Sequence, residues 1–576
     1  MTRANDEVEA LLQEYADIIA IRGGEAFKAR AYEKAARAVG GYPKDISTLD
    51  AKGLREIPNV GKSLADKIVE YLRTGRMPAV DEARASVPAG VRELIAIPGL
   101  GPRRAMVLYE ELGITSAEQL ADAIHRERLR DLKGFGERTE ENILHGISVL
   151  QKAGEGRILI SAAMDIAEQI VAELSDVRGC VRCAYAGSLR RMRETIGDVD
   201  ILVAAHRSAP FMEALTALPQ TAEVITRGEK KTSVRTATGL QVDLRVLPPV
   251  SWGAGLQYFT GSKAHNIRTR ERAVRQGLKL SEYGLFDTES GENLTSATEE
   301  AIYARLGLPW IPPTLREDRG EIEAGLRGEL PELLTEKDIR GDLHTHTDLT
   351  DGLAPLEDMV AAAAARGYAY YAVTDHAPNL YMQRMTTEKI LAQRERMRAL
   401  DGAHHRMRLL HGTELNIGPD GSLDWPDEFL ADFDLCVASV HSHFNQSRRE
   451  LTRRLVRACE NPNVAVIGHP TTRRIGKRPA IDADFDAVFE ACARSGTALE
   501  INAHPERLDL CDEDILRAKA YGVKFAVNSD AHATTHLPYM RYGVATAQRG
   551  WLTKDDVINT WPLARLRRFL GGKKGT

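Results

Sequence analysis

Residues 341–352 read GDLHTHTDLTDG, with His344 and His346 two apart and Asp351 in the acidic loop that follows. Residues i and i+2 of a strand share a face, so the two imidazoles point the same way, as neighbouring nitrogen ligands of a metal ion must. Further imidazoles and carboxylates stand at the ends of short apolar runs: His376 after YYAVTD, Glu414 in RLLHGTELNI, His441 after LCVASV, His469 after VAVIG, and Asp530 and His532 in KFAVNSDAH. One such histidine is more often packed or on the surface than a ligand, but nine residues at equivalent positions make a set. Six imidazoles and three carboxylates are too many for one tetrahedral ion, and suit two or three ions of the Mn²⁺, Zn²⁺ or Fe type completed by water.

A second acidic group lies in GDVDILV, where Asp198 and Asp200 share a strand face, and a third carboxylate, Asp243, sits in QVDLRV. If the two strands are neighbours, three carboxylates meet on one sheet face and repel unless cations lie between them, which suits two Mg²⁺ ions held by oxygen ligands and substrate phosphates. A DxD pair alone is a weak signal. Just upstream, however, GSLRR offers Gly187 and Ser188 as backbone and hydroxyl donors to a triphosphate, with Arg191 supplying positive charge.

A third pattern occurs three times in the first 150 residues: EIPNVGKSLADKI at 56–68, AIPGLGPRRAMVL at 96–108 and DLKGFGERTEENI at 131–143. An apolar residue, a tight turn, another apolar residue, a glycine and a polar-started amphipathic helix make a helix-hairpin-helix. Gly61, Gly101 and Gly136 leave backbone N–H groups free at a helix N-terminus, where the partial positive charge accepts a phosphate. One Gly turn before a helix is usually only a loop; three copies reverse that expectation.

The elements that must position these groups follow from the whole chain. At 576 residues it exceeds a single hydrophobic core. MTRANDEVEALLQEYADIIA lacks the basic start and apolar stretch of a secretion signal, and no long apolar run follows, so a cytoplasmic protein with no membrane span is expected. A net charge of −5 excludes binding nucleic acid by bulk positive charge, so any such contact must be local. The six cysteines make no disulfide framework, and Cys180 and Cys183 have no second pair to complete a zinc site. Of the 16 histidines, 12 follow residue 340, beyond the charged stretch 319–340, which reads as a connector. After it, seven strand-like runs alternate with helical stretches and carry the candidate ligands at their ends, the pattern of a βα barrel with its function at the carboxyl ends of the strands.

YAGSLRRMRETIGDVDILVAA, GLQVDLRVLPP, QYFTGSKAHNIRTR at 257–270 and the hairpin repeats together resemble the family X DNA polymerases, nucleotidyltransferases of short-gap repair. By that resemblance Asp198 and Asp200 bind two catalytic Mg²⁺ or Mn²⁺ ions and Asp243 one of them, and Gly187, Ser188 and Arg191 hold the triphosphate. Tyr258 and Phe259 lie under the sugar, Gly261 and Lys263 belong to the nucleotide segment, and Asn266 and Arg270 face the base pair and template. Two positions depart from the family: Ile196 stands where members have a phosphate-contacting serine, and Lys263 where they have an aspartate. The resemblance also implies a Schiff-base lyase role for Lys67, with Lys28 and Lys34 holding a 5′-phosphate.

The histidine-rich half resembles the PHP domain, a metal-dependent phosphoesterase module that bacterial members carry at the C-terminus. The expected organisation is a helix-hairpin-helix lyase-like domain over 1–80, fingers over 81–150, a nucleotidyltransferase palm over 151–249, a thumb over 250–318, a linker over 319–340 and a distorted seven-stranded PHP barrel over 341–576. The expected function is filling of short gaps in gapped or nicked DNA from deoxynucleoside triphosphates in base excision repair, coupled to a 3′-5′ exonuclease, by a monomer. A second reading makes the chain chiefly a nuclease or phosphatase whose palm positions DNA, and a third a DNA-end scaffold. The complete aspartate set speaks against the second, and the filled ligand set against the third.

Overall fold

The structure, a computed structural model, describes residues 4–21, 26–40, 42, 44–85, 156–380, 385–401 and 407–572, with discontinuous stretches between 91 and 147. The chain forms two compact units, one of residues 153–334 with 545–553, the other of residues 2–152, 335–544 and 554–576.

In the second unit, helices α1 (Ala4–Ile21) and α2 (Ala26–Gly40) bury Val8, Leu12, Ala35 and Val39 in one core with Ile57, Val60, Leu64 and Ile68. The last two lie on α3 (Lys62–Thr74), whose sequence KSLADKIVEYLRT repeats apolar side chains at helical spacing and so buries one face. A separate core gathers Ile97, Leu100, Leu108, Phe135 and Ile143, with Leu108 on α4 (Pro102–Leu112).

The first unit contains α5 (Ile160–Ser175) and a five-stranded sheet of β1 (Arg182–Tyr185), β2 (Asp198–Ala204), β3 (Thr221–Arg227), β4 (Lys231–Thr236) and β5 (Gln241–Leu247), in spatial order β1-β2-β5-β4-β3. Val199 and residues 201–204 of β2 are all buried, which is why that strand reads as a continuous apolar run. The short helix α6 (Gly187–Arg190) follows β1. Helices α7 (Trp252–Thr260) and α8 (Lys263–Arg275) lead into a three-stranded antiparallel sheet with a core of Leu278, Leu285, Ile302 and Tyr303. His265 is buried there, with Nδ1 2.6 Å from Glu321 Oε1 and Nε2 2.9 Å from the Tyr303 hydroxyl. The stretch 319–340 contains a helix over Glu321–Arg327, and Ile322 enters the same core.

The histidine-rich half is a seven-stranded parallel barrel, nearly closed, with strands in sequence order: β6 (Gly341–Asp342), β7 (Tyr370–Val373), β8 (Arg408–Asn416), β9 (Leu435–Ser439), β10 (Val464–Ile467), β11 (Ala498–Asn502) and β12 (Phe525–Asn528). The His346 N–H donates to the Ala531 carbonyl at 2.9 Å, joining the chain beyond the first strand to the chain beyond the last. Six of the seven runs contain these strands, but in the first, GDLHTH, only Gly341 and Asp342 pair as strand, so His344 and His346, expected on a strand face, lie just past it, with Thr345 bridged to Ala531. Every residue of β7, β9, β10, β11 and β12 is buried.

Candidate active sites and metal centres

All nine imidazoles and carboxylates read from the strand ends meet at the carboxyl end of the barrel. Glu414 is central, 99 % buried. Its Oε1 lies 3.0 Å from His469 Nε2 and 3.1 Å from His441 Nε2, and its Oε2 lies 2.9 Å from His376 Nδ1, 3.4 Å from His344 Nε2 and 3.6 Å from His346 Nε2. Asp351 Oδ1 stands 3.4 Å from both His376 Nε2 and His532 Nε2, and Asp530 Oδ1 lies 3.2 Å from His346 Nε2. Three subsets have donor atoms close enough to share an ion: His346, Asp351, His376 and His532; His344, His346 and Asp530; and His376, Glu414 and His441. Buried atoms without a hydrogen-bond partner cluster here, among them His344 Nε2, both His346 ring nitrogens, Asp351 Oδ1 and His376 Nδ1. Buried polar atoms are ordinarily paired, so these donors fit divalent ions.

Burial pushes the Glu414 carboxyl up, yet the neighbouring His441, His376 and His344 hold it well below the usual carboxylate range. Burial, then the Arg507 charge, pushes His469 down to about 4, leaving a neutral ring suited to ligation. Two of the nine sit where the backbone leaves its strand in the left-handed region, His469 at φ 28° and Asp530 at φ 51°, a conformation held only when the surroundings enforce it.

The surroundings include a residue that the sequence reading missed. Glu500, fully buried in β11, accepts from His344 Nδ1 at 2.7 Å and from the His469 backbone N–H at 2.7 Å. Asn528 and Asn502 donate to its two oxygens, and Asn502 also donates to Asp530 Oδ2 at 2.9 Å. Fixing Nδ1 of His344 aims Nε2 at the centre. A glutamate inside the apolar run TALEINA was the available signal, because a charged residue is rarely fully buried without partners.

In the five-stranded sheet, β2 and β5 are parallel neighbours with Asp200 directly opposite Asp243, and Asp198 two residues before Asp200. The three carboxylates therefore share one locus. Burial first, then the charges of Asp198 and Asp243, push Asp200 up to about 7. Burial also pushes Asp243 up, but hydrogen bonds from Lys231, Ser233 and Gln241 bring it below the ordinary range. The Lys231 ammonium, 2.6 Å from Asp243 Oδ2, is a cation already placed at this locus that the sequence reading did not single out. Gly187 adopts φ 62°, and a Cβ there would come within 2.5 Å of Asp200 Oδ2, so only glycine lets the start of α6 approach the carboxylate.

Asp200 gives a pH prediction. It keeps its proton up to about pH 7 in the folded chain, whereas an unfolded aspartate ionises near ~4. Without a metal ion this sheet should lose stability as pH rises between those values, and a divalent cation, which competes with the proton, should recover it. Melting curves with and without Mg²⁺ are expected to show a larger stabilisation by the ion at pH 8 than at pH 6.

The family model described as DNA polymerase beta thumb matches residues 255–317, Helix-hairpin-helix domain 3–77, SAM-like Helix-hairpin-helix tandem 91–147, and PHP domain 342–504. The chain is 36 % identical to the DNA polymerase/3′-5′ exonuclease PolX of Bacillus subtilis over 98 % of its own length and 99 % of that protein. It belongs to the PolX family. It is also 25 % identical to rat DNA polymerase lambda over 51 % of this chain and 53 % of that protein, and 27 % identical to a probable phosphatase of Thermoanaerobacter over 40 % of this chain and 95 % of that protein. Membership of PolX implies use of divalent metal, DNA and nucleotides. Among the described residues no helix is long and apolar enough to cross a membrane.

The remaining residues expected to act in a PolX protein are placed as follows. Arg191 is held by Glu317 Oε1, 3.0 Å from its Nε, and by the Thr260 carbonyl. Ser188 is half-buried on α6. Tyr258 and Phe259 lie edge to face at 5.1 Å, with the Arg270 guanidinium 6.0 Å from the Tyr258 ring and that of Arg245 4.6 Å from Phe259. Asn266 donates to the carbonyls of Tyr258 and Gly261, bracing the turn between α7 and α8. Lys263 is exposed at the start of α8, and Ile196 is fully buried. Lys67 donates to the Tyr32 hydroxyl at 2.9 Å, Lys34 is half-buried and Lys28 exposed. Burial, then Cys180, pushes the Cys183 thiol up to about 12, which disfavours the thiolate a metal site needs.

The three hairpins share one hydrogen bond, from Val60 to Ile57, Leu100 to Ile97 and Phe135 to Leu132, which closes each turn ahead of its helix. Gly61 caps α3 and Gly136 is exposed, while Gly101 lies outside the described residues. A Cβ at Gly61 would meet nothing within 4 Å, and its φ is −78°. Gly61→Val should therefore fold, with a capping penalty of about 1 kcal/mol, yet weaken DNA binding by roughly tenfold, the loss of about one charge-assisted hydrogen bond. A salt titration of DNA affinity checks this, and unchanged affinity would make the turn purely structural.

Proposed function

We propose that the chain is a DNA-directed DNA polymerase that fills short gaps during base excision repair, with a 3′-5′ exonuclease in the barrel. The observation that carries this reading is the in-register pairing of Asp200 with Asp243 beside Asp198, under the close approach of Gly187. Mg²⁺ or Mn²⁺ at the palm, and two or three Mn²⁺, Zn²⁺ or Fe ions in the barrel, would neutralise phosphate charge and supply Lewis acidity. Asp198, Asp200 and Asp243 would hold the former and the nine barrel residues the latter. Gly187, Ser188 and Arg191 bind the triphosphate, Asp243 accepts the proton of the primer 3′-hydroxyl, and Tyr258 and Phe259 support the sugar. Lys263, Asn266 and Arg270 line the nucleotide, and the Gly61, Gly101 and Gly136 turns with Lys28 and Lys34 grip gapped or nicked DNA. Lys67 is the lyase candidate. The protein acts as a cytoplasmic monomer.

A labelled one-nucleotide gap, incubated in Mg²⁺ and then Mn²⁺ with and without nucleotides, tests both halves. Extension with nucleotides and shortening from the 3′ end without them is the expected result. The similarity to a probable phosphatase, over 40 % of this chain and 95 % of that protein, favours a second reading of this centre, release of a 3′-phosphate. Loss of phosphate from a 3′-phosphorylated gap without shortening would select it.

A further inference from the structure

Residues 545–553, distant in sequence from the palm and thumb, belong to the same compact unit as they do. The segment is fastened there: the Leu334 N–H donates to the Leu552 carbonyl at 3.1 Å, Gln548 Nε2 donates to the Leu334 carbonyl at 2.8 Å, and Trp551 packs against the thumb core. Arg549 within it is only 4 % exposed. Its Nη1 donates to Glu317 Oε1 at 2.8 Å and to the carbonyl of Arg191 at 2.8 Å. The same Glu317 oxygen accepts from Arg191 Nε at 3.0 Å, and Arg193 Nη1 stands 3.9 Å away. One carboxylate is thus shared between the phosphate-binding arginine of the palm and an arginine from near the C-terminus.

Glu317 is largely buried, and a buried carboxylate stripped of its cation is strongly unfavourable. Without Arg549, Glu317 would keep only Arg191 and the more distant, half-exposed Arg193, so turning the Arg191 guanidinium to a triphosphate would leave the buried charge poorly neutralised, and the carboxylate would retain the arginine. We infer that Arg549 is a positioning residue for nucleotide binding: it keeps Glu317 neutralised and holds the Arg191 backbone, so that the Arg191 side chain is free to engage the triphosphate. A segment that follows the barrel strands in sequence would thereby supply a residue to the nucleotide site of the unit it belongs to. This rests on the reading of Arg191 as a phosphate ligand.

The test is steady-state gap filling by the full chain, with KM for the nucleotide and kcat measured separately, and melting curves to establish folding. Arg549→Ala is expected to raise KM about tenfold, the equivalent of one charge-assisted hydrogen bond, with kcat little changed. Arg549→Lys should recover part of the loss. Adding Glu317→Gln to Arg549→Ala should return KM to near the wild-type value, because a neutral amide no longer retains Arg191, and a merely structural role would not be rescued this way. A KM for Arg549→Ala within twofold of wild type, a fall in kcat at constant KM, or no rescue by Glu317→Gln overturns the inference. Should the alanine variant not fold, Glu317→Gln alone decides: KM at or below wild type upholds the inference, and KM raised tenfold overturns it. Arg191→Ala separates the underlying reading, since an unchanged KM there removes Arg191 from phosphate binding whatever Arg549 does.

Discussion

Asp243→Ala is expected to abolish nucleotide addition to a gapped primer while leaving affinity for that DNA near the wild-type value. Asp243 stands opposite Asp200 on the neighbouring strand and receives hydrogen bonds from Lys231 and Gln241. Its removal deletes one carboxylate, a proposed ligand, from a three-carboxylate locus, leaves Lys231 beside two remaining aspartates, and takes away the group proposed to accept the primer proton. Losing a residue that merely supports a ligand costs roughly 10–100-fold, so loss of a direct ligand should exceed about a hundredfold. Asp200→Ala should behave alike. DNA affinity is assigned to the hairpin turns, which share no residue with the palm. Single-turnover extension and a binding titration are the two measurements, and extension by either variant at more than a few per cent of the wild-type rate would overturn the palm assignment.

His344→Ala is expected to eliminate 3′-5′ removal of nucleotides and preserve gap filling. His344 is fully buried, with Nδ1 fixed by Glu500 and Nε2 facing Glu414 and Asp530. Truncation removes one nitrogen donor and leaves Glu500 without its ring partner, so both the ligand count and the support of the His469 backbone suffer. Glu500→Gln keeps the shape but removes the charge that holds His344, and should lower hydrolysis by about 10–100-fold with less metal retained. The separation between activities follows from the ligand sets, which have no residue in common. Metal content by mass spectrometry beside the nuclease assay would show whether the loss comes from metal. Degradation that persisted in His344→Ala but disappeared in Asp200→Ala would place hydrolysis in the palm.

Much of this architecture was legible in the sequence, because the signals are local. A strand buried on both faces must be continuously apolar, so barrel strands stand out as runs such as YYAV and VAVI, and the residues just past them mark the mouth; the two-residue first strand, Gly341–Asp342, carries no such run. The hairpins are legible because a turn closed by a three-residue hydrogen bond needs particular residues in fixed order. The nine barrel residues were readable one strand end at a time.

Residues that act through others were not legible. Glu500 is one glutamate in an apolar run until the fold places it against His344 and His469, 156 and 31 residues away. Lys231 looks like any strand-start lysine until β4 pairs with β5 and sets it on Asp243. The charge of 319–340 reads as a connector, yet Ile322 finds the thumb core. Residues 545–553 follow the barrel strands in sequence but group with palm and thumb, where Arg549 meets Glu317, 232 positions earlier. Sequence alone determined which imidazoles and carboxylates stand at the strand ends and most of the elements that carry them, because periodicity and turn chemistry act over a few residues. Only the tertiary structure decided which charges share a partner, because burial and ion pairing depend on distances in space that chain separation does not encode.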